Sequence, residues 1–193
     1  SSVLLNVTED HMDRYENINE YRQVKERIYE LSQYCVFNKN EDLLNEQLKQ
    51  KQHSEFSLNI PENKAYGLIN EEGKTFLAQE IGSKSAPDYR KIMTLDEVKI
   101  SGKHNYSNIL ATLALLEPFA ISDSSIVKAI KSYTGLAHRC EWVAKIAEVD
   151  FYNDSKGTNI GATIAAINSY ERPKILIAGG VGKNADFSKI AEV

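Results

Sequence analysis

A chain of 193 residues, 42% hydrophobic and 26% charged, has the balance of a globular protein and excludes a disordered one. Its formal charge of −4, with lysines scattered among the acids, offers nucleic acid no basic stripe. No apolar run approaches the roughly 20 residues of a membrane span, and no basic n-region with an apolar h-region opens the chain.

Residues 3–7, "VLLNV", read as a short buried strand that runs into the polar loop "TEDHMDRY". Residues 18–33 have helical period, with Ile18, Tyr21, Val24, Ile28 and Leu31 on one face. A second buried strand (34–38) and a second helix (41–52) follow, and this alternation predicts a parallel α/β sheet. Residues 66–79 hold two β-rich runs around Glu71-Glu72-Gly73-Lys74, a hairpin signal. One helix starts near residue 106, and another, "SDSSIVKAIKSYTG", has Ser and Asp in front and Gly135 behind. Two strands over "EWVAKIAEVDFYN", a helix at "IGATIAAI" and a strand at "KILIAGG" complete the order. The return of strands after Gly135 places a boundary between two α/β units at 134–137. Cys35 and Cys140 each sit in an apolar stretch and read as buried thiols in a reducing cytoplasm rather than a disulfide. The absence of an initiator methionine and the abrupt last segment suggest a piece of a longer protein.

Ligands of open α/β sheets bind beyond the carboxyl ends of strands. Three polar clusters, "TEDHMDRY", "NDSKGTN" and "GGVGKNADF", lie at such ends, and "SGKHNYSN" opens a helix. His11 follows Thr8-Glu9-Asp10, which can simply cap a turn, and imidazole is an uncommon magnesium ligand. Lys25 falls inside the apolar arc between Tyr21 and Tyr29. It is either a snorkelling lysine or one whose pKa burial lowers so that the neutral amine reacts. Asn105 and Asn108 stand near a helix start, where one can cap and either can read the edge of a nucleobase. "GGVGKNA" fits a loose dinucleotide fingerprint and fails as a phosphate loop, because Ile177 and Asn184 stand where Gly and Ser or Thr are needed.

The junction Asp154-Ser155-Lys156-Gly157-Thr158-Asn159 carries more polar groups than a helix cap needs. Asp154 can accept from a ribose diol, Lys156 and the upstream His138-Arg139 offer cations, and Thr158 and Asn159 add donors at a helix start that favours anions.

Together, "LNVTEDHMDRY", "YRQVKERIYE", "SGKHNYSN", "TGLAHRCEWV", "NDSKGTNIGAT" and "GGVGKNADF" resemble the Mur ligase family, and within it the members that add D-glutamate. The resemblance spans nearly the whole chain. It implies residues 1–135 as the latter part of a central ATPase domain, a P-loop-type, mostly parallel sheet with a small hairpin region. Residues 136–193 would be the first part of a Rossmann-like C-terminal domain. The implied reaction is ATP-dependent, ADP-forming amide ligation of D-glutamate to UDP-N-acetylmuramoyl-L-alanine through an acyl phosphate, by a bacterial cytoplasmic enzyme that is monomeric when full length.

By the same resemblance His11 binds Mg2+, and Lys25, carbamylated by CO2, offers the ion oxygens. Asn105 and Asn108 face adenine, Asp154 the ribose, and Arg139 and Lys156 the phosphates or reacting centre. Thr158 and Lys183 hold the D-glutamate carboxylates. This chain alone, without a phosphate loop, would be inactive. Three alternatives stand beside this reading: a sibling or folylpolyglutamate-synthase-like ligase, a nicotinamide-binding domain built on "GGVGKNA", and a non-catalytic binding module.

Overall fold

A computed structural model describes residues 1–9, 12, 14–41, 46–182 and 186–193; His11 and Lys183 lie outside the described residues. By its contacts the chain forms two units. The first comprises Ser1–Ser101 and Asn105–Tyr133, the second Gly102–His104 and Thr134–Val193.

In the first unit six strands form one sheet in chain order: β1 (Ser2–Leu4), β2 (Cys35–Asn38), β3 (His53–Phe56), β4 (Tyr66–Glu71), β5 (Lys74–Glu80) and β6 (Tyr89–Thr94). Strands β1 to β4 pair in parallel, and β4 to β6 pair antiparallel. The parallel start follows from a crossover: helix α1 (Ile18–Glu26), continued by a 3-10 turn at Arg27–Tyr29, connects β1 to β2. The antiparallel end follows from the expected hairpin, in which Glu72 (φ 50°) and Gly73 (φ 76°) make a two-residue turn of the twist that hairpins favour. Between β3 and β4 the chain crosses without a helix, and a Cβ on Gly67 would stand 2.3 Å from the Asn59 carbonyl, so only glycine admits that crossing.

Strand β2 is buried on both faces, as its unbroken apolar run requires. Val36 joins Phe56, Tyr66, Leu77 and the Leu110, Ala111 and Ala114 side of helix α2 (Lys103–Leu116). Cys35 and Phe37, which alternate to the other face, pack with Tyr29 and Leu48. Helix α3 (Asp123–Ser132) starts where the Ser122 side chain accepts from the Ser125 N–H.

Several expectations need correction. The helix predicted over 18–33 is α-helical only to Glu26, and its buried side is Tyr21, Glu26 and Tyr29, whereas Val24, Ile28 and Leu31 are exposed. The phase changes at the 3-10 turn because the Tyr29 hydroxyl is claimed by the sheet: it accepts from the Leu4 N–H (2.8 Å) and donates to the Val36 carbonyl (3.0 Å). The described part of the helix expected at 41–52 is a 3-10 turn, Glu46–Gln50. Strands β3 and β6 are additions, polar enough in sequence to read as loop.

In the second unit, β7 (Glu141–Ile146) and β8 (Val149–Asn153) form an antiparallel pair through Ala147 and Glu148, both left-handed. Helix α4 (Ile160–Asn168) follows. The strand expected at "KILIAGG" is not formed: residues 174–178 have no ladder partner, and Ile175 and Ile177 are more than 90% exposed. A strand needs a neighbouring backbone, and β8 pairs with β7 alone. Among the described residues no helix is long and apolar enough to cross a membrane.

Candidate functional site: the junction after strand β8

The sequence between β8 and α4 folds as a turn that its own side chains hold. Asn159 caps α4 by accepting the Ala162 N–H at 2.7 Å. Asn153 Oδ1 accepts the Ser155 N–H at 3.1 Å, and the Gly157 N–H returns to the Asp154 carbonyl at 2.8 Å. The upstream segment 138–141 is sewn to this turn. The Lys156 N–H donates to the His138 carbonyl (3.1 Å), Asn153 Nδ2 donates to His138 Nδ1 (2.8 Å), and Asp154 Oδ1 accepts the Cys140 N–H (3.0 Å). His138 and Cys140 adopt left-handed backbone, so the loop doubles back within three residues.

Asp154 is half-buried, and its environment shows in its neighbours. Burial, reinforced by the charge and hydrogen bond of Asp154, pushes the Cys140 thiol up to about 11. Burial lowers the pKa of His104, and the Asp154 charge opposes that shift. Cys35 and Cys140 are both free, Cys35 buried and Cys140 half-buried. Burial pushes the Cys35 thiol up, so neither cysteine is an activated nucleophile.

Within this unit the junction brings together Arg139, Asp154, Lys156 and Thr158. Arg139, Lys156 and Thr158 are exposed, and the two cations make no ion pair among the described residues. Cations beside the capped start of α4 suit an anion, a phosphate or a carboxylate.

Asn105 and Asn108, in the first unit, lie inside α2 rather than at its cap, because the helix starts at Lys103. Asn105 Nδ2 donates to the Ser101 carbonyl at 2.8 Å, and Asn108 is exposed. Lys25 is not on a buried arc. It is exposed, with Nζ 5.0 Å from the Tyr21 ring centroid, a cation–π contact. Among the described residues no three His, Cys, Asp or Glu side chains gather as a metal site, and His11 lies outside them.

The sequence reading missed three things. Gly157 stands against Asp154, since a Cβ there would be 2.7 Å from Asp154 Oδ2 and would displace that carboxylate. His104 and Ser169 are hydrogen-bonded at 2.5 Å, a pairing across 65 residues that no spacing rule could find. A cavity of about 160 Å³ opens at the carboxyl ends of β1 and β2, bounded by Asn38 and the Arg22–Glu41 ion pair (3.0 Å). Its lining carries Glu26, Glu41 and Glu55 against Arg22, Lys39 and Lys49, so its formal charges cancel.

Comparison with known proteins follows the same outline. The family model described as the Mur ligase middle domain matches residues 1–116. The UDP-N-acetylmuramoylalanine--D-glutamate ligase of Pseudomonas aeruginosa is 39% identical over 196 residues, covering 99% of this chain and 42% of that protein. The chain thus spans less than half the length of such relatives. Among solved structures, MurF from Acinetobacter baumannii superimposes with a TM-score of 0.61 at 18% identity, over 84% of this chain and 35% of its own. A pseudomurein peptide ligase type C from Methanothermus fervidus gives 0.63 at 15% identity, over 88% and 40%. At such identities the two structures speak for the fold alone, a mixed α/β architecture with a mostly parallel sheet. With the family's middle-domain pattern running through β1 to α2, the chain belongs to the Mur ligase family.

Proposed function

We propose that this chain is part of an ATP-dependent, ADP-forming amide ligase that adds D-glutamate to UDP-N-acetylmuramoyl-L-alanine in peptidoglycan precursor synthesis. The observation that carries the reading is the 39% identity to a D-glutamate ligase over 99% of the chain, the Asp154–Asn159 junction included. Residues 1–135 belong to the central ATPase domain and 136–193 to the start of the C-terminal domain.

In this reading a carboxylate oxygen of the uridylated substrate attacks the γ-phosphorus of ATP, and the bond to ADP breaks. The D-glutamate amine then attacks the acyl carbon, and phosphate leaves with the attacking oxygen. Catalysis of such a transfer is mostly positioning and charge stabilisation, and the residues of this chain supply both. Asn105 and Asn108 read the adenine edge. Asp154, its carboxylate held by the Cys140 N–H, accepts from the ribose. Arg139 and Lys156 meet phosphate charge, and Thr158 and Lys183 hold the D-glutamate carboxylates. The family resemblance assigns magnesium to His11 and a carbamate on Lys25, where the ion would neutralise phosphate oxygens. Because Lys25 is exposed, oxygen ligation rather than burial would have to favour that carbamate.

Oxygen transfer tests the chemistry. With the substrate carboxylate labelled with ¹⁸O, the full-length enzyme should release phosphate bearing one labelled oxygen per amide formed. Unlabelled phosphate alongside amide product would rule out the acyl phosphate.

A further inference from the structure

Arg139 is carried between two residues of left-handed backbone, His138 (φ 65°) and Cys140 (φ 44°). That conformation is costly for a residue with a side chain, and it persists only where the surroundings determine it. Here both residues are tied to the turn after β8, within the second unit. The Cys140 N–H donates to Asp154 Oδ1, and the His138 carbonyl accepts the Lys156 N–H at 3.1 Å. The third tie runs between side chains, from Asn153 Nδ2 to the His138 ring at 2.8 Å.

The proton on that ring can be assigned. Asn153 Oδ1 accepts the Ser155 N–H at 3.1 Å, which orients the amide with Nδ2 toward His138. An amide nitrogen only donates, so His138 Nδ1 is the acceptor and carries no proton. The imidazole is therefore neutral, with its proton on Nε2. Of the pair His138-Arg139, only the guanidinium is then a cation. Asn153 Nδ2 also donates to Glu141 Oε2 at 3.5 Å, and that oxygen accepts the His138 backbone N–H at 2.9 Å. One amide thus joins the turn after β8, the start of β7 and the His138 ring.

We propose that Asn153 is a positioning residue of the phosphate-facing loop: donation from Nδ2 to His138 Nδ1 holds the 138–140 segment, and Arg139 with it, beside Lys156. This rests on the ligase reading, in which Arg139 and Lys156 meet phosphate charge. In that reading Asn153 meets no reacting atom, so its loss acts on ATP affinity.

The test uses the full-length enzyme. Asn153→Ala should raise KM for ATP by about fivefold, the scale of one half-exposed hydrogen bond. KM for D-glutamate should stay near wild type. The effect of Asn153→Ala should shrink in a His138→Ala background, where the bond is already gone. Glu148→Gln, at the far turn of the hairpin, should be neutral. Independently of kinetics, ¹⁵N shifts of the His138 ring should show a bare Nδ1 and a protonated Nε2 in the wild type. Asn153→Asp keeps the acceptor for the Ser155 N–H and loses the donor, so there the proton should move to Nδ1. An active wild type with unchanged KM for ATP in Asn153→Ala, an equal loss in the His138→Ala background, or a protonated Nδ1 in the wild type overturns the positioning role alone. A wild type without D-glutamate-dependent phosphate release overturns the ligase reading and this role with it.

Discussion

Asp154 Oδ1 accepts the backbone N–H of Cys140 at 3.0 Å, which ties the exit of β8 to the turn before β7. Gly157 stands against the other carboxylate oxygen, where an added Cβ would be only 2.7 Å from Oδ2. Gly157→Ala must therefore push the Asp154 carboxylate aside. In the full-length enzyme the urea midpoint should fall and KM for ATP should rise together. A variant of wild-type stability and ATP affinity would contradict the assigned geometry.

Lys51 closes the end of the turn that follows α1. Its ammonium donates to the carbonyls of Tyr29 and Glu30, both at 2.7 Å, and to Ser32 at 3.4 Å. The Tyr29 carbonyl also accepts the Ser32 N–H at 3.2 Å, and a cation at this helix end meets the negative end of the helix dipole. Lys51→Met keeps the stem and removes the donors, and should cost about 1–3 kcal/mol in urea denaturation. An unchanged midpoint would show that solvent serves those carbonyls equally well.

Three tyrosines set the alkaline limit. Burial, chiefly, raises Tyr29 to about 12. Burial and then the Glu117 carboxylate raise Tyr34 and Tyr66 still further. A group whose folded pKa lies above its unfolded value, about 10 for tyrosine, contributes fully below that unfolded value and loses its contribution as pH rises. Stability should be steady to about pH 10 and fall steeply between about pH 10 and 12. Tyrosinate absorbance from these three should appear only with unfolding. A flat urea midpoint to pH 12 would contradict their burial.

The sheet and its hairpin were legible because their signals are local: an unbroken apolar run at 34–37, and a turn built on Gly73. The Asn159 cap and the crowding of polar groups after β8 were legible for the same reason. Strand β3, with Ser54 and Phe56 inward and His53 and Glu55 outward, alternates too weakly in hydrophobicity to be read. The arc containing Lys25 was misread because a tertiary demand, the Tyr29 hydroxyl bridging β1 and β2, sets which face of the helix turns inward. Long-range pairs such as His104–Ser169 leave no periodic trace at all.

Lys25 offers a sharp test of the carbamate because the exposed amine stacks on Tyr21 as an ordinary cation would. A free ammonium repels magnesium, whereas a carbamate offers it oxygen ligands. In the full-length enzyme Lys25→Ala should lose most activity and regain part of it in acetate. Lys25→Arg should be inactive, since guanidinium cannot take up CO2. Wild-type activity in Lys25→Arg would leave Lys25 as a surface lysine.

The most direct test of the central claim is phosphate release by the full-length enzyme given ATP, magnesium and UDP-N-acetylmuramoyl-L-alanine, with one amino acid added at a time. The account predicts release that depends on D-glutamate and matches the dipeptide product one for one. The 193 residues alone, which contain no phosphate-cradling G-x-x-x-x-G-K-[ST] loop, should release none. Release that depends on another amino acid, or that ignores D-glutamate, would contradict it.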